Sequence, residues 1–354
     1  MIRITPTSQS KLSEIDFDNI PFGKNFSDHY FSCDYENGEW KNFEIRKLEP
    51  IPIHPGNLAW HYGQAIFEGM KAFKNKDGQP VLFRPELHSE RLNASARRLC
   101  MPELPKEIFL EAIHELVNLE QGWIPPHRGA ALYLRPLMIA MDEALGVRPS
   151  ENYKFMVMTL PAGPYYPKPV KLITEQTYIR AADGGLGEAK AAGNYAGSLY
   201  PAKIAKEKGF DQLMWLDAKE FKKVQEVGTM NIFFVVDGKI ITPKTTGTIL
   251  KGITRKSTII LLEDLGYEVE EREIEIDELV EEFKAGKFTE AFGTGTAAVS
   301  SKISLIQHDG FDMDFSNCEY PVATLVKDQL DGMRYGDIED KRGWIVPVKQ
   351  EVIA

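Results

Sequence analysis

Between residues 161 and 170 the chain reads PAGPYYPKPV, with Pro161, Pro164, Pro167 and Pro169 inside nine residues. Each proline fixes φ, lacks a backbone N–H and turns the residue before it away from helix, so the stretch continues neither a helix nor a central strand. The chain is therefore expected to divide here, into residues 1–160 and 177–354, with 161–176 as a stiff linker. At 354 residues, each part is long enough to bury a core of its own.

Both parts mix helical and strand periodicities. PELHSERLNASARRLC (85–100) places Leu92, Ala96 and Leu99 on one helical stripe, and 106–120 does the same with Phe109, Ala112, Ile113, Leu116 and Val117 before Gly122. ALYLRPLMI (131–139) and KFMVMTL (154–160) are short apolar runs that read as buried strands. Beyond the prolines, QLMWL (212–216) and NIFFVVDGKIIT (231–242) read as strands, with Asp237-Gly238 as a tight hairpin turn. TRKSTIILLEDLG predicts a helix with Thr254 at its N-cap and Gly266 at its stop. EREIEI (271–276) alternates like a half-wet strand, and DELVEEFKAG predicts a helix capped by Asp277. The expectation is an α+β fold, with α/β mixed in both domains and their cleft a natural site.

Charge and cysteine usage narrow the function. The 42 basic and 52 acidic residues leave a net charge of −10, without the basic excess of a general nucleic-acid binder. No apolar run approaches the ~20 residues of a membrane span. The start, MIRITPTSQSKLSEIDFD, lacks a secretory apolar core and becomes acidic too early for a typical mitochondrial presequence. Cys33, Cys100 and Cys318 are too far apart for a C-x-x-C pair and odd in number, which suggests reduced thiols in a cytoplasmic protein and no metal site. The acidic run 268–282 reads as solvated surface.

Five features could carry chemistry. GEAKAAGNYAGS (187–198) sets Lys190 among glycine, alanine and serine, either as a solvated lysine on a flexible loop or as an amine kept bare so that a planar carbonyl compound can reach it. In QEVGTMN, Glu226 reads first as a surface glutamate at a strand start; the alternative is a buried acid paired with a cation such as a pyridinium nitrogen. LKGITRKS offers the N–H groups of Gly252, Ile253 and Thr254 to a phosphate, unless Thr254 caps the helix itself. FGTGTAAVS adds the hydroxyls of Thr294 and Thr296; its GTGTAA also fits a degenerate dinucleotide turn, without the βαβ unit and later acid that would support it. Arg91 lies off its helix's apolar stripe, as a surface residue or a phosphate partner.

In order along the chain, FGKNFSDHYF, LAWHYGQAIFEGMKAF, FRPELHSERL, LYLRP, GPYY, GNY, EVGTMNIFF, GITR and FGTGTA resemble the branched-chain-amino-acid aminotransferases, fold type IV pyridoxal-phosphate enzymes of the D-amino-acid-aminotransferase-like family. The resemblance covers nearly the whole chain. It implies a two-domain fold, pyridoxal 5'-phosphate as cofactor, a homodimer, and transamination of leucine, isoleucine or valine with 2-oxoglutarate to give branched 2-oxo acids and L-glutamate. Carried onto this sequence, it implies that Lys190 binds the cofactor aldehyde and moves the proton between substrate Cα and cofactor C4′. Tyr195 would bond the phenolic oxygen, Glu226 the ring nitrogen, and Arg91, Ile253, Thr254 and Thr296 the phosphate. Thr229 and Ala297 would meet the substrate α-carboxylate; Tyr62, Phe67, Tyr133 and Tyr165 would wall the side-chain pocket; Arg135 would reach glutamate's distal carboxylate. Ala298 and Ser301 stand where animal relatives carry a C-x-x-C redox pair, so thiol regulation is not expected there. A D-amino-acid aminotransferase or lyase of the same fold, and a nicotinamide oxidoreductase using GTGTAA, are the alternatives.

Overall fold

A computed structural model describes residues 1–163, 168–297 and 299–349. The chain separates into two compact units, one made of Met1–Tyr165 with Ala189–Gly193 and Asp331–Ala354, the other of Tyr166–Glu188 with Asn194–Leu330. The short segment that carries Lys190 and the segment from Asp331 onward thus cluster with the first unit, whereas the sequence division puts both in the second part.

The first unit is built on a nine-stranded sheet among the described residues. Its spatial order is Arg3–Ile4, Glu39–Lys47, His29–Glu36, Tyr153–Ala162, Ala131–Ala140, Met70–Lys74, Pro80–Phe83 and Ile345–Pro347, with Ala65–Phe67 pairing on Ala131–Ala140. Helix α1 (Leu58–Tyr62) opens on Asn57, whose side chain accepts from the N–H groups of Ala59 and Trp60, and closes on left-handed Gly63. Helices α2 (Pro85–Arg98) and α3 (Lys106–Leu119) bury the stripes read from the sequence: Leu92 and Ala96 from one, Phe109, Ala112, Ile113, Leu116 and Val117 from the other. These side chains join Phe31, Phe155 and Leu132 in one core. Each fully buried Leu, Ile or Phe contributes about 1.5–3 kcal/mol.

Pro161 does enter a strand, contrary to the expectation for the proline stretch: it pairs with Leu132 across the sheet. Its other flank has no strand partner among the described residues, because the ladder with His29–Glu36 ends at Tyr30 opposite Met158. Past that point the flank keeps the Ser27 N–H bond to Thr159 O but no strand ladder, and at Pro161 a missing N–H costs little.

The second unit holds another nine-stranded sheet among the described residues. The order is Val224–Val227, Gln212–Leu216, Val170–Glu175, Val299–His308, Phe288–Gly295, Asn231–Val236, Lys239–Pro243 and Val269–Arg272, with Phe311–Asp314 added on Val299–His308. Asp237 (φ 50°) and Gly238 (φ 76°) make the hairpin turn that Asp-Gly implied. Four helices follow the chain: α4 (Ala192–Glu207), α5 (Ile253–Asp264), α6 (Ile276–Lys284) and α7 (Pro321–Tyr335).

Two expected caps move. Helix α5 starts at Ile253 with Gly252 as its N-cap and no side-chain cap, and Thr254 lies buried in the first turn. Asn231 sets this entry, because its amide donates to Leu250 O and a Cβ on Gly252 would lie 2.0 Å from its Oδ1. Helix α6 starts at Ile276 behind Glu275, which places Asp277 inside the first turn, favourably beside the helix N-terminal dipole. The strand expected over 271–276 ends at Arg272 because its partner runs out at Pro243.

Candidate active site

The expected site residues fall into two groups, one in each unit. In the first unit, the lysine segment adds an antiparallel bridge, Ala191 to Ile66, on the Ala65–Phe67 strand. The Lys190 peptide N–H donates to the Ser95 hydroxyl at 2.9 Å, and its carbonyl accepts from the Phe67 N–H at 3.0 Å. The backbone is therefore fixed from both sides while the half-buried side chain carries its Nζ 4.7 Å from the centroid of the Phe67 ring.

Arg135 lies over that same ring, its guanidinium carbon 4.7 Å from the centroid, and donates through Nη2 to the Tyr133 hydroxyl at 3.0 Å. Tyr133 and Arg135 are two apart on one strand and so share a face. The Tyr133 hydroxyl would be 2.1 Å from a Cβ on Gly69, so only glycine admits this ring. Among the described residues, the Arg135 Nε is buried without a hydrogen-bond partner. Phe22 meets Tyr133 edge-on at 5.2 Å. Lys190, Phe67, Tyr133 and Arg135 thus come together. Tyr62 does not join them: it is 43% exposed on α1, and its hydroxyl accepts from Gly146 N–H. Tyr165 and Ala298 lie outside the described residues.

Arg91 is not a surface residue. Its Nε and Nη2 donate to the two oxygens of Glu68 at 2.7 and 2.8 Å, and Glu68 is fully buried. The Nδ1 of His88 meets the same carboxylate at 2.7 Å. Burial pushes the Glu68 carboxyl up, but the Arg91 guanidinium and His88 outweigh it and hold Glu68 below the usual carboxylate range. Burial also lowers His88, against the pull of Glu68, so a neutral imidazole donating from Nδ1 fits the contact.

In the second unit, Glu226 corrects the surface reading: it is 3% exposed in the strand Val224–Val227. Its Oε2 is 3.0 Å from Nε of Arg180, and its Oε1 accepts from the Leu250 N–H. Tyr195, Thr229 and Leu250 line one concavity with Glu226 and Arg180. Lys190's neighbours are not a loop throughout, since Tyr195 and Ser198 sit in α4, where the Ser198 hydroxyl donates to Tyr195 O at 2.7 Å.

The phosphate candidates of this unit are the uncapped start of α5, at Ile253 and Thr254, and the turn with Thr296 and Ala297. Thr294, beside that turn, is 1% exposed, and its Oγ1 has no partner among the described residues. A Cβ on Gly295 would lie 4.0 Å from Thr229 O, so the Thr229 and Thr296 turns adjoin. No group of three or more His, Cys, Asp or Glu able to hold a metal occurs among the described residues.

Glu68, His88, Ser95 and Arg180 were missed from sequence. Only Glu68 gave a signal, a lone acid in the apolar run AIFEGM.

The family model for class IV amino-transferases matches residues 65–306. A probable branched-chain-amino-acid aminotransferase of Staphylococcus aureus (strain N315) is 46% identical over 335 residues, 93% of each chain. Branched-chain-amino-acid aminotransferase 2 of Bacillus subtilis (strain 168) is 43% identical over 352 residues, 98% of this chain and 97% of that one. Among solved structures, the branched-chain amino acid aminotransferase from Thermobaculum terrenum in its PLP form aligns with a TM-score of 0.73 at 26% identity, covering 90% of this chain and 98% of the other. With the lysine, the paired glutamate and the uncapped helix start already in place, these matches leave one conclusion: the chain belongs to the class IV aminotransferases, in the branched-chain-amino-acid aminotransferase family.

Proposed function

We infer that this protein transfers the amino group of leucine, isoleucine or valine to 2-oxoglutarate with pyridoxal 5'-phosphate as cofactor. The observation that carries this reading is the Phe67 ring, which has the Lys190 amine and the Arg135 guanidinium each 4.7 Å from its centroid. An aliphatic side chain gains from the faces of Phe67 and Tyr133, and a distal carboxylate gains from Arg135, whose Nε is buried without a partner among the described residues. One place then serves both amino donor and amino acceptor.

The residues present fit the cofactor. Glu226 is a buried carboxylate for a ring nitrogen, α5 begins with no side-chain cap, and the buried Thr294 Oγ1 is without a partner among the described residues. Arg91, Ile253, Thr254 and Thr296 would hold the phosphate, and Tyr195 the phenolic oxygen. Bound pyridoxal phosphate supplies an aldehyde that takes up the amino group and a ring that withdraws electrons from the substrate Cα. Lys190 would take the proton from the substrate Cα and return it at C4′. Its pinned backbone keeps that swing short. Thr229 and Ala297 would hold the α-carboxylate, and Tyr165 would add to the pocket wall, whereas Tyr62 stands apart on α1 with its hydroxyl on the Gly146 N–H. A homodimer in the cytoplasm fits this reading, supported by exposed Trp60, Leu145 and Val147 and by the free Cys33, Cys100 and Cys318.

Incubation with L-leucine and 2-oxoglutarate should yield L-glutamate, with D-alanine inert as donor. Lys190→Ala should remove the visible absorbance of bound cofactor and lower turnover by about 10²–10⁴-fold or more. A variant that kept both, or a colourless protein that bound NAD(P) instead, would overturn the reading.

A further inference from the structure

Glu226 is the carboxylate assigned above to the cofactor ring nitrogen, and it is not held by its own strand alone. Arg180 reaches it through Nε, at 3.0 Å from Oε2. The other end of the same guanidinium donates to two carbonyls, from Nη1 to Thr248 O at 2.7 Å and from Nη2 to Gly187 O at 3.2 Å. One planar group therefore ties the Glu226 strand to the loop that leads into α5 and to the chain just ahead of the lysine segment.

The knot is tight. A Cβ on Gly187 would lie 2.5 Å from Thr248 O and 2.6 Å from the Ala181 Cβ. On the second carboxylate oxygen, the Leu250 N–H is donated while Leu250 O accepts from Asn231 at 2.9 Å, so both ends of that peptide are committed. A carboxylate has about four acceptor positions. Arg180 and Leu250 take one on each oxygen, which fixes the direction of the group.

An arginine that only filled the core would be sealed away. Arg180 instead lines a concavity with Tyr195, Glu226 and Thr229, and the charged or titratable side chains there are its own and those of Tyr195 and Glu226. We propose that Arg180 is the positioning residue for Glu226: it orients that carboxylate toward the cofactor ring nitrogen and holds the Thr248–Gly252 loop at the phosphate end. The proposal rests on the pyridoxal-phosphate reading. Lysine could keep the charge at this place, but not the fork that reaches Glu226 and two carbonyls together.

The test compares wild type, Arg180→Lys, Arg180→Gln, Glu226→Gln and the Arg180→Gln/Glu226→Gln double variant. Each apoenzyme is titrated with pyridoxal phosphate by fluorescence, and each holoenzyme's visible band is titrated with pH. Arg180→Gln should weaken cofactor binding about 10–100-fold, the scale of losing a partner that orients a ligating group. Removing a cation beside the cofactor favours its protonated form, so the band's pH midpoint should move to higher pH. Arg180→Lys should keep the midpoint near wild type while still losing affinity. kcat for L-leucine should fall with little change in KM, and the double variant should lose less than the product of the single losses. If Arg180→Gln lowers only the unfolding midpoint, with wild-type cofactor affinity and pH titration, the residue is structural and the proposal fails. Should Arg180→Gln not fold, wild-type affinity in Arg180→Lys, or fully multiplicative losses in an Arg180→Lys/Glu226→Gln pair, overturns it equally. Wild-type apoenzyme that binds no pyridoxal phosphate would instead remove the functional reading, and this inference with it.

Discussion

The Glu68 carboxylate shows how one buried residue can govern an arginine assigned to a ligand. Both of its oxygens receive Arg91, and one also meets His88. Two of the guanidinium's nitrogens are thereby spent inside the protein, and the plane of the group is set. Glu68→Gln breaks an ion pair whose carboxylate is fully buried and should cost about 3–5 kcal/mol in apoenzyme unfolding, with weaker pyridoxal phosphate binding in the fraction that folds. Glu68 sits below its ordinary 4.5 and His88 below its ordinary 6.5 in the folded protein. Stability from each is complete above the ordinary value and is lost as pH falls toward the folded one. Urea midpoints should therefore decline first below about pH 6.5 and again below about pH 4.5, and Glu68→Gln should flatten the second decline. Sequence made Arg91 a candidate, but no pattern pointed to its partner across 23 positions. The burial of Glu226 is hidden from local pattern for the same reason: its guanidinium is in TYIRAADGG, far from EVGT, and only the folded chain brings them together.

At the scale of elements, apolar periodicity carried α2 and α3, and the Asp-Gly pair carried its hairpin, because these signals are local. Helix α4 left no such trace. It holds Gly193, Gly197 and Pro201, residues that favour turns, and buries only Pro201 and Ala205. A Cβ on Gly197 would meet nothing within 4 Å, so Gly197→Ala should stabilise the apoenzyme by about 0.5–1 kcal/mol in denaturant unfolding. Gly252, at the entry to α5, is the opposite case. Its added Cβ would strike Asn231, which holds Leu250 and through it Glu226. Gly252→Ala should cost about 1–3 kcal/mol and weaken cofactor binding, measured by unfolding and by fluorescence titration. Equal behaviour of the two alanine variants would contradict this account of the loop. The moved caps of α5 and α6 were beyond sequence reading because partner strands, not propensity, decide where those chains turn.

For the whole molecule, proline clustering suggests two parts divided near residues 161–176, and the structure has two units, each with its own sheet, whose bounds do not follow that single division. That pattern could not reveal that Ala189–Gly193 clusters with the first unit, since a return crossing of the chain leaves no mark in composition. That crossing carries Lys190 to the strand of Phe67, where the Arg135 guanidinium also lies, and the claim of amino transfer depends on it. The most direct test is a single half-reaction: the holoenzyme is mixed with L-leucine in the absence of any 2-oxo acid, and its spectrum and products are followed. The account predicts that the visible band of bound cofactor is discharged, with one equivalent of the branched 2-oxo acid released per site. A band that persists with L-leucine, or that discharges with D-alanine in its place, would contradict it.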